Sequence, residues 1–183
     1  VIFSILENTE PEAENANYTL DEDTAITMAL YATDQDGDAL SYMIAGSPTN
    51  GTIALSGNVV TYIPNINFNG IDSFQFKAND GQTDSNIATV TLVVNAVNDA
   101  PYLFPIENAS IVAGETFSYN LQAEDVDGDD LIYTAIVSGG NAAVYIDENI
   151  LTVSPQDSNV TLNIVVTVTD GNATHSISFF LTV

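Results

Sequence analysis

Asp34-Gln35-Asp36-Gly37-Asp38-Ala39-Leu40-Ser41-Tyr42 returns 91 residues later as Asp125-Val126-Asp127-Gly128-Asp129-Asp130-Leu131-Ile132-Tyr133. Two further landmarks repeat in the same order. Asn79-Asp80-Gly81 is echoed by Thr169-Asp170-Gly171, and Ala88-Thr-Val-Thr-Leu-Val-Val94 by Ile177-Ser-Phe-Phe-Leu-Thr-Val183. Landmarks in constant order at nearly constant spacing mean two copies of one module of about 90 residues. The opening run from Val1 to Leu6, followed by Glu7-Asn8-Thr9-Glu10-Pro11, echoes Val90 to Val94 followed by Val97-Asn98-Asp99-Ala100-Pro101. We therefore expect residues 1–11 to be the last strand and linker of a preceding module, with modules at 12–98 and 99–183 in a fragment of a longer array.

Within each copy apolar residues alternate with polar ones, the period of a strand with one buried face. Ile26, Met28, Leu30 and Ala32 share a face, as do Phe74, Phe76 and Ala78, and then Ala88, Val90, Leu92 and Val94. The second copy repeats the pattern in Phe117, Tyr119 and Leu121, in Leu162, Ile164, Val166 and Val168, and in Ile177, Phe179 and Leu181. Six or seven short strands per copy, separated by Gly, Asn, Asp and Pro turns, predict an all-β chain of two tandem antiparallel β-sandwiches. No segment has helical periodicity.

The composition narrows the chemistry. The 183 residues carry 25 acidic side chains against one basic one, Lys77, for a formal net charge of -24. Without clustered Lys or Arg the chain is unsuited to nucleic acid and to anionic membrane surfaces. No apolar run is long enough to cross a bilayer. Cysteine is absent, which removes disulfides, thiolate metal sites and thiol nucleophiles. So many carboxylates repel one another in a compact state unless a cation sits among them or salt screens them.

Asp-x-Asp-Gly-Asp suits a hard cation, because alternate side chains of an extended segment point the same way. An EF-hand is excluded by spacing: its glycine belongs at the sixth position and its glutamate at the twelfth, but Gly37 and Gly128 are fourth, and Ala45 and Ile136 are twelfth. Ligands must come from elsewhere, and Asp80 and Asp170 each close an apolar strand where they can share a pole with the Asp-rich loop. The competing reading of Asp125, Asp127 and Asp170 is turn chemistry, since Asp-Gly is a common hairpin signal. Asp38, Asp129 and Asp130 read as loop-stabilising or solvated. His175 reads as a partly exposed strand-entry residue and Lys77 as a surface charge. Asn-x-Ser/Thr sequons, such as those beginning at Asn17, Asn108, Asn159 and Asn172, are unremarkable in so Asn- and Thr-rich a chain.

Both copies resemble bacterial cadherin-like repeats. The first is similar to the tandem-95/VCBS-like type, through Asp21-Glu-Asp-Thr24, Asp34-Gln-Asp-Gly-Asp38, Phe68-Asn-Gly-Ile-Asp-Ser-Phe74, Asn79-Asp-Gly81 and the exit Val97-Asn-Asp-Ala-Pro101. The second resembles the dystroglycan-type variant, through Ala113-Gly-Glu-Thr-Phe117, Asp125-Val-Asp-Gly-Asp129 and Val168-Thr-Asp-Gly171. The resemblance implies a cadherin/immunoglobulin-like Greek-key fold and Ca2+ bound between consecutive modules. Carried over residue by residue, the implied ligands are Glu22, Asp72, Asn98, Asp99, Asp125, Asp127 and Asp170. Asp34, Asp36 and Asp80, with Asn8 and Glu10 as linker, form the upper half of an earlier site. Glu115 is displaced relative to Glu22, so the far end of the second module departs from the pattern.

The function this implies is a non-catalytic, calcium-rigidified spacer or adhesion stalk of a secreted or surface-displayed bacterial protein. Its partners are neighbouring modules of the same chain and a cell-surface glycan or protein. The rival is a carbohydrate-binding accessory module, with Tyr31, Tyr145, Tyr102 and Phe104 as stacking faces. No separate carboxylate pair with its own cleft marks a glycosidase.

Overall fold

The computed structural model describes residues 7–183. The chain divides into two compact units, with the boundary between Val97 and Asn98. Val1–Leu6, expected as the last strand of a preceding module, lie outside the described residues; the proposed linker at 7–11 is irregular backbone. Every regular element among the described residues is a strand, as the periodicity predicts.

The first module has nine strands: β1 (Glu12–Ala13), β2 (Ala16–Asp21), β3 (Ile26–Ala29), β4 (Ala32–Thr33), β5 (Ser41–Gly46), β6 (Gly51–Ser56), β7 (Val59–Pro64), β8 (Gly70–Asn79) and β9 (Ala88–Asn95). The second repeats them as β10 (Tyr102–Leu103), β11 (Ala109–Ser110), β12 (Phe117–Asn120), β13 (Ala123–Glu124), β14 (Ile132–Ser138), β15 (Ala142–Asp147), β16 (Ile150–Pro155), β17 (Thr161–Thr169) and β18 (Thr174–Thr182). In the first, a sheet ordered β2-β9-β8-β5 faces one ordered β3-β7-β6, and β1 pairs with β4. In the second the orders are β11-β18-β17-β14 and β12-β16-β15, with β10 on β13. The duplicated landmarks thus correspond to a duplicated topology.

Two details depart from the expectation of six or seven antiparallel strands. The first strand of each module is split, its first half pairing with one partner (β1 on β4, β10 on β13) and its second half with another. That second half runs parallel to the last strand: β2 to β9, and β11 to β18. Two-residue strands are too short to show alternation, so periodicity cannot reveal them.

The alternating residues form the cores. Phe74, Phe76, Val90 and Leu92 of the larger sheet meet Met28, Val60 and Tyr62 of the smaller. In the second module Ile164, Val166, Phe179 and Leu181 meet Leu151 and Val153. Fully burying one such large apolar side chain contributes about 1.5–3 kcal/mol, and the strands hold the Asp-rich loops at their ends.

The modules differ in one buried pair. Asp72 on β8 lies opposite Leu92, and Leu162 on β17 lies opposite Leu181, so the two are structural counterparts. Tyr62 pairs with Ile26 as Val153 pairs with Phe117. The Tyr62–Asp72 contact of the first module is therefore an all-apolar Val153–Leu162 position in the second.

Candidate metal centre

Each Asp-rich loop is built around its first aspartate. In the second module Asp125 Oδ1 accepts the backbone N–H groups of Asp127 (3.0 Å) and Asp129 (3.3 Å). In the first, Asp34 Oδ1 accepts those of Asp36 (2.9 Å) and Asp38 (3.0 Å). Gly128 and Gly37 sit at φ of 80° and 82°, which turns the loop back on itself at little steric cost. A carboxylate oxygen from each of Asp125, Asp127 and Asp129 then lies within 4.8 Å of the others. Asp129, expected as loop-stabilising or solvated, does hold the loop through its N–H, and the positive-φ glycine before it also brings its carboxylate into the cluster.

The second oxygen is the informative one. Asp34 Oδ2 and Asp125 Oδ2 are both buried, and neither has a hydrogen-bond partner among the described residues. A buried anionic oxygen without a donor costs several kcal/mol unless a cation or water answers it. The same orphan at the same place in two copies is a property of the module. An all-oxygen, carboxylate-rich set is what Ca2+ takes.

The linkers complete these loops in matching fashion. Asn98 Nδ2 donates to Asp170 Oδ2 (3.0 Å), and the Asp99 N–H donates to Asp127 Oδ2 (2.7 Å). Asn8 Nδ2 donates to Asp80 Oδ2 (2.8 Å), and the Thr9 N–H to Asp36 Oδ2 (2.7 Å). Asp170 Oδ1 accepts from the N–H groups of Asn172 and Ala173, both 2.6 Å, and Asp80 Oδ1 from those of Gln82 and Thr83, both 2.7 Å. These donors hold both carboxyls below the usual carboxylate range. For Asp80 the Thr83 N–H leads, and for Asp170 the Ala173 N–H.

This register corrects the N-terminal linker. Thr9, not Glu10, occupies the position of Asp99, because it makes the same backbone bond to the loop. Glu10 is exposed and falls one residue beyond. The first module therefore lacks the linker carboxylate that the second has.

Glu22 and Asp72 belong to the first module and have different surroundings. Asp72 is 5% exposed: Oδ1 accepts from the N–H groups of Thr49 (3.0 Å) and Ser73 (2.8 Å), and Oδ2 from the Asn50 N–H (2.9 Å) and the Tyr62 hydroxyl (3.0 Å). Burial pushes its pKa up, but these four bonds outweigh it and the net shift is downward. Tyr62 is pushed the other way, by burial first and then by Asp72. With both oxygens committed to the module's own donors, Asp72 acts as an internal fastener, and sequence cannot distinguish that role from a ligand's. Glu22 is 3% exposed; Oε1 accepts from the Val97 N–H at 2.7 Å, while Oε2 has only a 3.5 Å contact from Asn69 Nδ2. At the same end of the second module Glu115 is exposed, in a tight turn in which its Oε2 accepts the Val112 N–H.

The lone histidine is a strand-entry residue, as read: His175 Nδ1 accepts the Leu103 N–H at 2.9 Å. Lys77 pairs with Asp84 at the surface.

The fold and the paired acidic loops define a tandem of cadherin- and immunoglobulin-like β-sandwich modules. Residues 8–93 match the family model of the bacterial Ig domain. The chain is 26% identical over 141 residues to Integrin beta-like protein B of Dictyostelium discoideum, covering 68% of this chain and 7% of that protein. It is 27% identical over 152 residues to Chitinase A of Pseudoalteromonas piscicida, covering 80% of this chain and 18% of that one. It thus spans a small part of either relative's length. Among solved structures, human Protocadherin-24 EC1-2 is similar at a TM-score of 0.56 and 15% identity, covering 96% of this chain and 99% of that one, a likeness of fold.

Proposed function

We propose that the chain is a calcium-binding pair of cadherin-like modules from a secreted or cell-surface bacterial protein, a non-catalytic spacer or adhesive stalk whose linkers stiffen when Ca2+ binds. The finer assignment of the first module to the tandem-95/VCBS-like type and the second to the dystroglycan type is part of this reading. The observation that carries it is the orphaned buried carboxylate oxygen, Asp34 Oδ2 and Asp125 Oδ2, recurring in both acidic loops. In the second module the ligand set is Asn98, Asp99, Asp125, Asp127 and Asp170, with Asp129 added. In the first it is Asn8, Asp34, Asp36 and Asp80, without Glu10. Of the two acids expected from a preceding module we retain Glu22, whose Oε2 is poorly satisfied, and not Asp72.

Extracellular modules of this kind hold Ca2+ at about 10⁻⁴–10⁻³ M, so ambient calcium would set the stiffness. Calorimetric titration of the chain, with small-angle scattering in calcium and in chelator, tests the reading. No heat of binding removes calcium, and an unchanged particle length removes the spacer role.

The register of the first linker makes a sharper prediction. Thr9→Asp supplies the missing carboxylate and is expected to tighten calcium binding to the first module by about tenfold, since affinity follows ligand charge count. Glu10→Ala is expected to leave it unchanged. Site-resolved NMR titration separates the two modules.

A further inference from the structure

We propose that the second module carries, apart from its acidic loop cluster, a cleft that binds a neutral oligosaccharide. The cleft, about 410 Å³, opens beside β13 and is lined by Phe104, Asn120, Gln122, Glu124, Tyr133 and Asn149. That volume falls in the range of small-ligand sites. The side chains of Asn120, Gln122, Glu124 and Tyr133 make no hydrogen bond within the described residues, so the lining includes two amides, a carboxylate and, packed against the core, a phenol whose bonding capacity is unspent. Phe104 is 36% exposed, and its ring meets that of Tyr102 in a T-shaped contact at 5.3 Å and 82°. An exposed aromatic face beside unspent amides suits a pyranose, whose C–H face packs on the ring while its hydroxyls both donate and accept.

The repeat supplies an internal comparison. The Phe104 N–H donates to the Gln122 carbonyl, as the Glu14 N–H does to that of Tyr31, so Glu14 and Tyr31 stand in the first module where the second has Phe104 and Gln122. The corresponding cleft of the first module keeps Tyr42 and Asn58, the counterparts of Tyr133 and Asn149, but is otherwise lined by Leu40, Ser41, Leu55 and Gly57. Neither Glu14 nor the exposed Tyr31 lines it, so the first module has no counterpart there to Phe104 and to the Gln122 amide. Charge selects the ligand: the lining has no cation, Glu124 is anionic and the chain carries -24, so acidic glycans are repelled and neutral ones are not.

The test is calorimetric titration of the whole chain with cellohexaose, maltohexaose, chitohexaose and mannohexaose, and with an oligogalacturonate as the acidic comparison. At least one neutral hexaose should bind, and the oligogalacturonate should not. Phe104→Ala and Gln122→Ala should each weaken binding by about tenfold or more, while Tyr31→Ala leaves it unchanged. The Gln122 side chain is exposed, so its variant probes the site without disturbing the core. Silence from all four neutral sugars, equal binding of the acidic one, or binding that survives both cleft variants overturns the proposal. Calcium binding by the Gln122→Ala variant should match that of the parent, so failure here is distinguishable from failure of the calcium reading.

Discussion

Asp125→Asn is expected to change sign with calcium: it stabilises the second module in chelator and destabilises it in calcium. The asparagine oxygen keeps the acceptor role that Asp125 Oδ1 has toward Asp127 and Asp129. Its amide replaces a buried, unanswered carboxylate oxygen and removes one charge from three crowded within 4.8 Å. Relieving that repulsion is worth about 1 kcal/mol at solvent-like screening. In calcium at about 100-fold the dissociation constant the parent gains about 2.7 kcal/mol that the variant forgoes. For a domain of this size each kcal/mol moves Tm by about 4–8 °C, so the difference between the two conditions is readily measured by thermal unfolding. A variant less stable than the parent in both conditions would show the loop to be held by turn geometry alone.

The second large effect is expected at Asp72, and without metal. Asp72→Ala strands three backbone N–H groups and the Tyr62 hydroxyl at a nearly inaccessible position. At about 1–3 kcal/mol per unsatisfied buried donor, tempered by partial water access, the first module should lose about 4 kcal/mol. The second module already contains the apolar alternative in Val153 and Leu162. Asp72→Leu combined with Tyr62→Val should therefore recover part of the loss, a favourable coupling visible in a double-mutant cycle. Because the folded carboxyl is held below its ordinary value, its contribution is complete above about pH 4 and fades as the pH falls through the folded pKa. Parent and Asp72→Ala stabilities should converge in acid; a constant gap would mean that packing, not the ionised carboxylate, is responsible.

The sandwich was legible because its signals are periodic. Met28, Val60, Tyr62, Phe74 and Phe76 alternate along their strands, and all five are buried. The split first strands were not legible, because β1 and β10 are too short to alternate and their pairing is set by the folded sheets. The acidic loops were legible as composition and duplication. Their membership was less so: Asp129 joins through the turn at Gly128, and Thr9 displaces Glu10 because a backbone N–H, invisible in a search for carboxylates, sets the register. Asp72 shows the deeper limit. An acid near a turn reads as a ligand until strand pairing places it against Tyr62 and three amides.

The parallel contact between the first and last strands has a mechanical consequence. When a module is pulled by its ends, such a pair is loaded in shear, and its hydrogen bonds must break together instead of opening one at a time. In the first module this clamp runs over six residue pairs, Ala16–Asp21 on Val90–Asn95. In the second it is two, Ala109–Ser110 on Leu181–Thr182. Under tension the second module is expected to yield first, at a distinctly lower force in single-molecule stretching, leaving the first as the stronger link of the pair.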